Sequence, residues 1–338
     1  MNTVYESRFD KISGMIGKTP LLEIHFTYKG EPRRIFAKAE YFNLSGSIKD
    51  RVAFHIMKKA YEKGEIAPDD IIAEATSGNT GIAFSAMGSY LDHKVVIYMP
   101  DWMSAERINL MKGFGAEVRL VSREEGGFLG SIAMTEKLAE GGGVFLPRQF
   151  SNEDNTEAHY LYTGEEISRQ LAAMGLKADG IVAGVGTGGT VMGIGRRLRK
   201  DNADCKVFPL EPLNSPTLST GYRVGKHRIQ GISDEFIPDI LKLDETDAVV
   251  SVDDIDSIIM AQMLSRKFGI GVGISSGANM LGCILAQEKL GKDSTIVTVF
   301  ADDNKKYLST DYSEEFEVKE EYLTHDIVLT DVIAHRYE

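Results

Sequence analysis

The sequence predicts an α/β protein of two lobes, each a parallel-rich sheet flanked by helices. Two observations carry this. Buried-strand signals alternate with helical apolar spacing in two separate series, and the turns joining strand to helix are crowded with glycine and small polar residues. At 338 residues, with 43% hydrophobic and 26% charged side chains, the chain exceeds one average domain and can build substantial cores.

In the first series Ile71 to Ala75 read as a buried strand, Ile82 to Tyr90 as an apolar helix and Lys94 to Met99 as a β-rich strand ending at Pro100. A helix follows from Ser104, then a strand Glu117 to Val121, a helix Gly130 to Ala139 and a strand Val144 to Pro147. Strands separated in this way pair in parallel through right-handed crossovers. The second series opens with a strand at Ile181, continues with a helix Val191 to Arg199, and has a short strand Lys206 to Phe208 that Pro209 should stop. A helix Ile255 to Phe268 and a strand Thr295 to Phe300 complete it. The acidic stretch Asp311 to Glu338 is expected to pack on the body of the protein or on a partner subunit.

Composition removes several classes of function. A net charge of −12 leaves no basic footprint for nucleic acid and no attraction to an anionic membrane surface. An anionic ligand must therefore be captured locally, by backbone amides or single side chains. Cys205 and Cys283 lack CxxC spacing, and His55 and His159 lack HExxH spacing, so neither a disulfide framework nor a metal site is expected. The N-terminus has no basic segment followed by an apolar run, and no apolar stretch approaches membrane-spanning length; a cytoplasmic location is expected.

Three turns carry chemistry. Gly184-Val-Gly186-Thr187-Gly188-Gly189-Thr190 joins a strand to a helix, where glycines admit an anion and the helix N-terminus supplies free N–H groups. A phosphate suits it. The spacing also fits a dinucleotide fingerprint with Glu211 as the ribose acid, which keeps a nicotinamide-dependent oxidoreductase open at this point. Thr76-Ser77-Gly78-Asn79-Thr80-Gly81 holds three hydroxyls, an amide and two glycines at a helix start, more than a helix cap requires, and suits a carboxylate ligand. Lys49, in Asn43-Leu-Ser-Gly-Ser-Ile-Lys-Asp-Arg51, stands at the entry to a third helix. An ammonium is disfavoured there, which frees an amine for Schiff-base chemistry, although by position alone a solvated lysine is the simpler account.

Together these segments resemble the cysteine synthase and cystathionine β-synthase family of pyridoxal-phosphate enzymes. Ser47-Ile-Lys-Asp-Arg51, Thr76 to Gly81, Gln149-Phe150, Gly186 to Thr190 and Gly273-Ile-Ser275-Ser-Gly277 occur in the family's order, and the likeness runs from Gly17 to Thr310. The resemblance implies a two-lobed fold type II enzyme, with residues 41–150 as a smaller mobile lobe and residues 1–40 and 151–338 as a larger one, working as a homodimer. It implies that Lys49 binds pyridoxal 5'-phosphate and shuttles the Cα proton. Asn79 would bond the pyridine hydroxyl oxygen, and Gly186, Thr187, Gly188, Gly189 and Thr190 would hold the phosphate. Ser275 would face the ring nitrogen, with Ser276 one residue away. The substrate carboxylate would fall to Thr76, Ser77, Gly78, Thr80 and Gln149. The reaction is then β-elimination and β-replacement on a small amino acid through an aminoacrylate.

One departure bears on direction. Gly231-Ile-Ser-Asp234-Glu235-Phe-Ile-Pro238 places two acids beside the expected substrate entrance, where cysteine synthases have a glycine- or alanine-rich stretch. A carboxylate there would repel hydrosulfide and could take a proton from water or a thiol. That resembles the sulfide-producing branch, in which cysteine becomes serine or a thioether, with Asp234 as general base and Gly231 at the substrate. The alternatives are solvated loop acids in an O-acetylserine sulfhydrylase and, retaining no chemistry, a binding protein.

Overall fold

The computed structural model describes residues 3–222, 224–232 and 236–338. The chain forms two compact units, one of residues 1–17 and 42–158, the other of residues 18–41 and 159–338.

In chain order the elements are α1 (Thr3–Ile12), β1 (Leu21–Tyr28), β2 (Glu31–Ala39), α2 (Lys49–Lys63), β3 (Ile71–Ala75), α3 (Asn79–Tyr90), β4 (Val95–Pro100) and α4 (Ala105–Gly113). They continue with β5 (Glu117–Val121), α5 (Gly127–Ala139), β6 (Val144–Phe145), α6 (Glu153–Ala158), a π-helical turn His159–Gly164 and α7 (Glu165–Ala173). The remainder are β7 (Gly180–Gly184), α8 (Gly189–Leu198), β8 (Lys206–Pro212), α9 (Thr217–Thr220), β9 (Val250–Val252), α10 (Asp254–Phe268), α11 (Ile274–Leu290), β10 (Ile296–Phe300) and β11 (Ile327–His335).

The first unit is a four-stranded, wholly parallel sheet in the order β5-β4-β3-β6. Parallel strands need crossovers, and α3, α4 and α5 supply them. Its core joins Val52, Ile56 and Met57 of α2, Ile82, Phe84 and Met87 of α3, and Ile72, Val95 and Ile97 of the sheet. Because α3 is buried along almost its whole length, its apolar residues do not confine themselves to one stripe.

The second unit holds a seven-stranded mixed sheet, β11-β1-β2-β10-β7-β8-β9, antiparallel among β11, β1 and β2 and parallel from β2 onward. The helices α10 and α11 cover it with Ile258, Leu264, Ala278, Leu281 and Ile284 against Val182, Leu210 and Ile296. Gly277 lets these two helices approach, because a Cβ there would stand 2.1 Å from the Ser257 carbonyl oxygen.

One expectation is corrected. Pro209 does not stop β8, which runs on to Pro212. Proline costs a sheet only where its missing N–H would be needed, and pairing with β9 starts one residue later, at Leu210↔Val250. The acidic C-terminal stretch packs on the body, as expected, and does so partly as sheet: β11 forms an antiparallel edge strand against β1, from Leu21↔His335 to Tyr28↔Ile327.

Candidate functional site

In the first unit, Lys49 is the first residue of α2 and is half-buried. The turn before it is tied down by the buried Asp50 carboxylate, which accepts from the Ser45 amide at 2.8 Å and the Ser45 hydroxyl at 2.6 Å. A carboxylate at a helix N-terminus also favours the helix macrodipole. Asp50 therefore fixes the segment from which the lysine projects.

The hydroxyl-rich turn sits between β3 and α3. Thr76 is buried, and its hydroxyl takes the Gly78 amide at 3.0 Å. Asn79 and Thr80 open α3, with Ser77 and Asn79 half-buried. Gly78 and Gly81 are needed for space, since a Cβ would stand 2.6 Å from the Arg107 side chain and 2.7 Å from Thr76 respectively. Gln149 lies 69 residues beyond Thr80, yet the Thr80 hydroxyl donates to the Gln149 side-chain carbonyl at 2.5 Å, and the Gln149 amide donates to the Ala75 carbonyl at 2.9 Å. The structure thus brings Thr76, Gly78, Thr80 and Gln149 together at the end of one parallel strand, where α/β sheets place their ligands.

Gln149 is positioned by residues that the motifs do not flag. Arg148 holds a left-handed backbone (φ 51°), a costly conformation for a non-glycine residue, and makes a bidentate pair with Glu136 at 2.7 and 2.9 Å. The Asn155 amide donates to the Gln149 carbonyl at 2.9 Å. Glu74, almost fully buried, accepts the Gln149 backbone N–H at 3.2 Å and the Ala75 N–H at 2.9 Å, and burial pushes its carboxyl up to about 8. As a lone acid in a predicted strand Glu74 carries no pattern; only its burial marks it.

In the second unit the glycine-rich turn spans the end of β7 to the start of α8, with Gly188 (φ 88°) as the residue before the helix. The Thr187 hydroxyl accepts the Gly189 N–H at 3.4 Å, and the Thr190 hydroxyl meets Nε2 of the fully buried His159 at 3.2 Å. His159 is therefore a structural support for the turn. Gly186 packs backbone against backbone: a Cβ there would stand 2.4 Å from the Gly231 carbonyl oxygen, and Gly231 itself has φ 88°. Asn279 of α11 anchors the strand end, accepting the Gly184 N–H at 2.8 Å and donating to the Val299 carbonyl at 2.7 Å. Ser275 and Ser276 occupy the first turn of α11, both buried, and the Ser276 hydroxyl has no hydrogen-bond partner among the described residues. Asp234, predicted as a general base, lies outside the described residues, as does Glu235.

Two alternatives lose support. Glu211, the candidate ribose acid, is spent internally on the amides of Leu218 and Ser219 and the hydroxyls of Ser219 and Ser251. His55, Asp154 and Glu157 approach one another closely enough to bind a cation, but Lys59 and Lys63 already pair with both acids, at 2.7 Å to Glu157 and 3.2 Å to Asp154.

The residues present fit a pyridoxal phosphate. A glycine turn that admits no Cβ, backed by a helix N-terminus, suits its phosphate, and a buried hydroxyl without a protein partner suits a polar atom of a ring. Residues 12–302 match the model of the family described as pyridoxal-phosphate dependent enzymes. A cysteine synthase of Staphylococcus aureus is 39% identical over 301 residues, covering 89% of this chain and 96% of that protein. The crystal structure of a hydrogen-sulfide-producing enzyme of Fusobacterium nucleatum superposes with a TM-score of 0.94 at 60% identity, covering 97% of this chain and 99% of that one. An aspartate-to-asparagine variant of the sulfide-producing enzyme, in complex with an α-aminoacrylate intermediate, gives a TM-score of 0.95. An O-acetylserine-dependent cystathionine β-synthase of Helicobacter pylori is 32% identical, with a TM-score of 0.81, over 88% of this chain and 97% of that one.

Proposed function

Since the chain belongs to the family of pyridoxal-phosphate-dependent enzymes, we propose that it releases hydrogen sulfide from L-cysteine and places another nucleophile on the β-carbon, forming serine or a thioether amino acid. The observation that carries this direction is the 60% identity, across nearly the whole of both chains, to an enzyme that produces hydrogen sulfide.

When bound, pyridoxal phosphate supplies the electron sink that makes a Cα proton removable. Lys49 would hold the cofactor through its side-chain amine and would move the Cα proton off and back. Gly186 to Thr190 would hold the phosphate. Asn79 would bond the ring's hydroxyl oxygen and Ser275 would face the ring nitrogen. A neutral hydroxyl does not keep that nitrogen protonated, which favours prompt loss of a β-substituent over transamination. Thr76, Ser77, Gly78, Thr80 and Gln149 grip the substrate carboxylate with uncharged donors, and Gly231 lines the substrate's side chain. Asp234 takes the proton from the arriving water or thiol and, being anionic, disfavours return of hydrosulfide.

A second reading, cysteine synthesis from O-acetylserine and sulfide, is favoured by the 39% identity to a cysteine synthase. Incubating holoenzyme with L-cysteine alone separates the two. Rapid sulfide release with serine or a thioether formed, absent in Lys49→Ala and slowed in Asp234→Asn, is expected. Slow release beside fast cysteine formation from O-acetylserine overturns the sulfide-releasing reading. Among the described residues no helix is long and apolar enough to cross a membrane. A cytoplasmic homodimer is part of the same proposal, and light scattering at the monomer mass would remove the dimer.

A further inference from the structure

The buried Glu74 lies outside every sequence motif and touches the segment that orients Gln149. Its carboxyl spans two pieces of chain: one oxygen takes the Ala75 N–H at the last residue of β3, and the other takes the Gln149 N–H, 75 residues on. Those two residues are joined a second time by the Gln149 side chain, which donates to the Ala75 carbonyl. The Gln149 side chain also receives the Thr80 hydroxyl, so Glu74 stands directly behind the pair on which carboxylate binding is proposed to depend.

We propose that Glu74 is a positioning residue for the substrate carboxylate: it locks the Gln149 turn to the end of β3, and a negative charge on it weakens amino-acid binding. The inference rests on the reading of Thr76 to Thr80 and Gln149 as the carboxylate grip.

When Glu74 ionises, its two N–H bonds strengthen and the turn stays tied, so the effect on binding is that of the charge. That charge, screened little by water, lies behind a loop that must receive a negative ligand through hydroxyls and amides alone. The charged surroundings do not cancel that charge. Of the elements packed on β3, β4 offers Tyr98, α5 offers Glu136 and Lys137, α3 offers only Tyr90 at its far end, and β6 offers nothing ionisable. The cation that acts on it, Arg148, is paired with Glu136 through Nε and Nη2 and offsets burial only in part. With burial as the main influence, the acid loses its proton only near 8, so the neutral, binding-competent form is the one present below that pH.

The test is kcat/KM for L-cysteine, measured with holoenzyme of the wild type, Glu74→Gln and Gln149→Ala. Glutamine keeps an acceptor for one N–H and cannot ionise. For one ionisation near 8, wild-type kcat/KM relative to Glu74→Gln should fall about tenfold between about pH 7 and about pH 9, with the change in KM. Titration of Lys49, Asp234 or the substrate amine is common to both proteins and cancels in the ratio. A ratio that does not vary with pH, or one that varies through kcat alone, overturns the proposal. An unchanged KM in Gln149→Ala instead removes the carboxylate grip itself and with it the premise. Should Glu74→Gln fail to fold, propionate inhibition of the wild type gives the same answer, because propionate has no amine to titrate. Its inhibition constant rises about tenfold over the same interval if Glu74 gates the grip, and a constant value overturns it.

Discussion

Gly186→Ala is expected to weaken cofactor binding while leaving the fold in place. The added methyl would start 2.4 Å from the Gly231 carbonyl oxygen, and the obstacle is backbone that no rotamer change can remove. A comfortable carbon–oxygen approach is about 3.3 Å, so the two segments must part by about 1 Å. Forcing a methyl into a packed site costs about 1–3 kcal/mol. Because Gly186 lies in the turn between β7 and α8, that displacement falls on the turn proposed to hold the phosphate. If all of it is expressed in binding, the pyridoxal phosphate dissociation constant rises about fivefold to about a hundredfold. The assay is a titration of apoprotein with pyridoxal phosphate, followed by the absorbance of the bound cofactor, with thermal unfolding measured alongside. Gly113→Ala, at the end of α4 with nothing within 4 Å of its would-be Cβ, is the control and should match the wild type. Wild-type affinity and an unchanged melting temperature in Gly186→Ala would refute the close approach and the cradle built on it.

Both thiols should be inert in the native protein: burial pushes Cys205 up to about 12 and raises Cys283 as well, so a thiol reagent should label neither until denaturant is added. Fast labelling of native protein would contradict this. Glu157 is partly buried, which raises its pKa, but hydrogen bonds from Lys59 and His55 outweigh that and bring it down to about 2. A carboxylate held below its ordinary value adds stability that is present above about pH 4.5 and lost as pH falls through about 2. Because the pair is screened by solvent, Glu157→Gln should cost only about 1 kcal/mol by urea unfolding at neutral pH, and nothing near pH 2; equal loss at both would sink the assignment. Asn279→Ala leaves the Gly184 N–H and the Val299 carbonyl unpaired in a buried place and should cost about 2 kcal/mol or more, where a loss under half of that would show the pair to be dispensable.

How much of this was legible in the sequence depended on whether the information was local. Strands β3, β4, β5 and β7 and helices α3, α8 and α10 announce themselves because buried strands and helices carry contiguous or periodic apolar residues. The turns at Thr76 to Gly81 and Gly184 to Thr190 were equally legible, since a ligand loop concentrates glycines and hydroxyls within a few consecutive positions. The antiparallel strands β1, β2 and β11 were not, because what makes β11 a strand is its pairing with Leu21 to Tyr28, some three hundred residues away. Pro209 misled for a related reason: whether a proline ends a strand depends on which neighbour its missing N–H would have faced, and the sequence alone does not name the neighbour.

The same distinction separates the residues proposed to touch ligands from those that hold them in place. Lys49, Thr80 and Gly186 are visible because their chemistry or their size is required at one point. Glu74 and Asn279 work by linking points that are distant in sequence, so each reads locally as an ordinary acid or amide. What distinguishes Glu74 is that the fold removes it from water and gives it no cation of its own, leaving two backbone N–H groups as its partners. Those two N–H groups favour the charged form, but burial outweighs them and pushes the carboxyl up to about 8. If the substrate carboxylate is carried on neutral donors as proposed, in a protein whose net charge is −12, a proton on the acid behind those donors favours its binding.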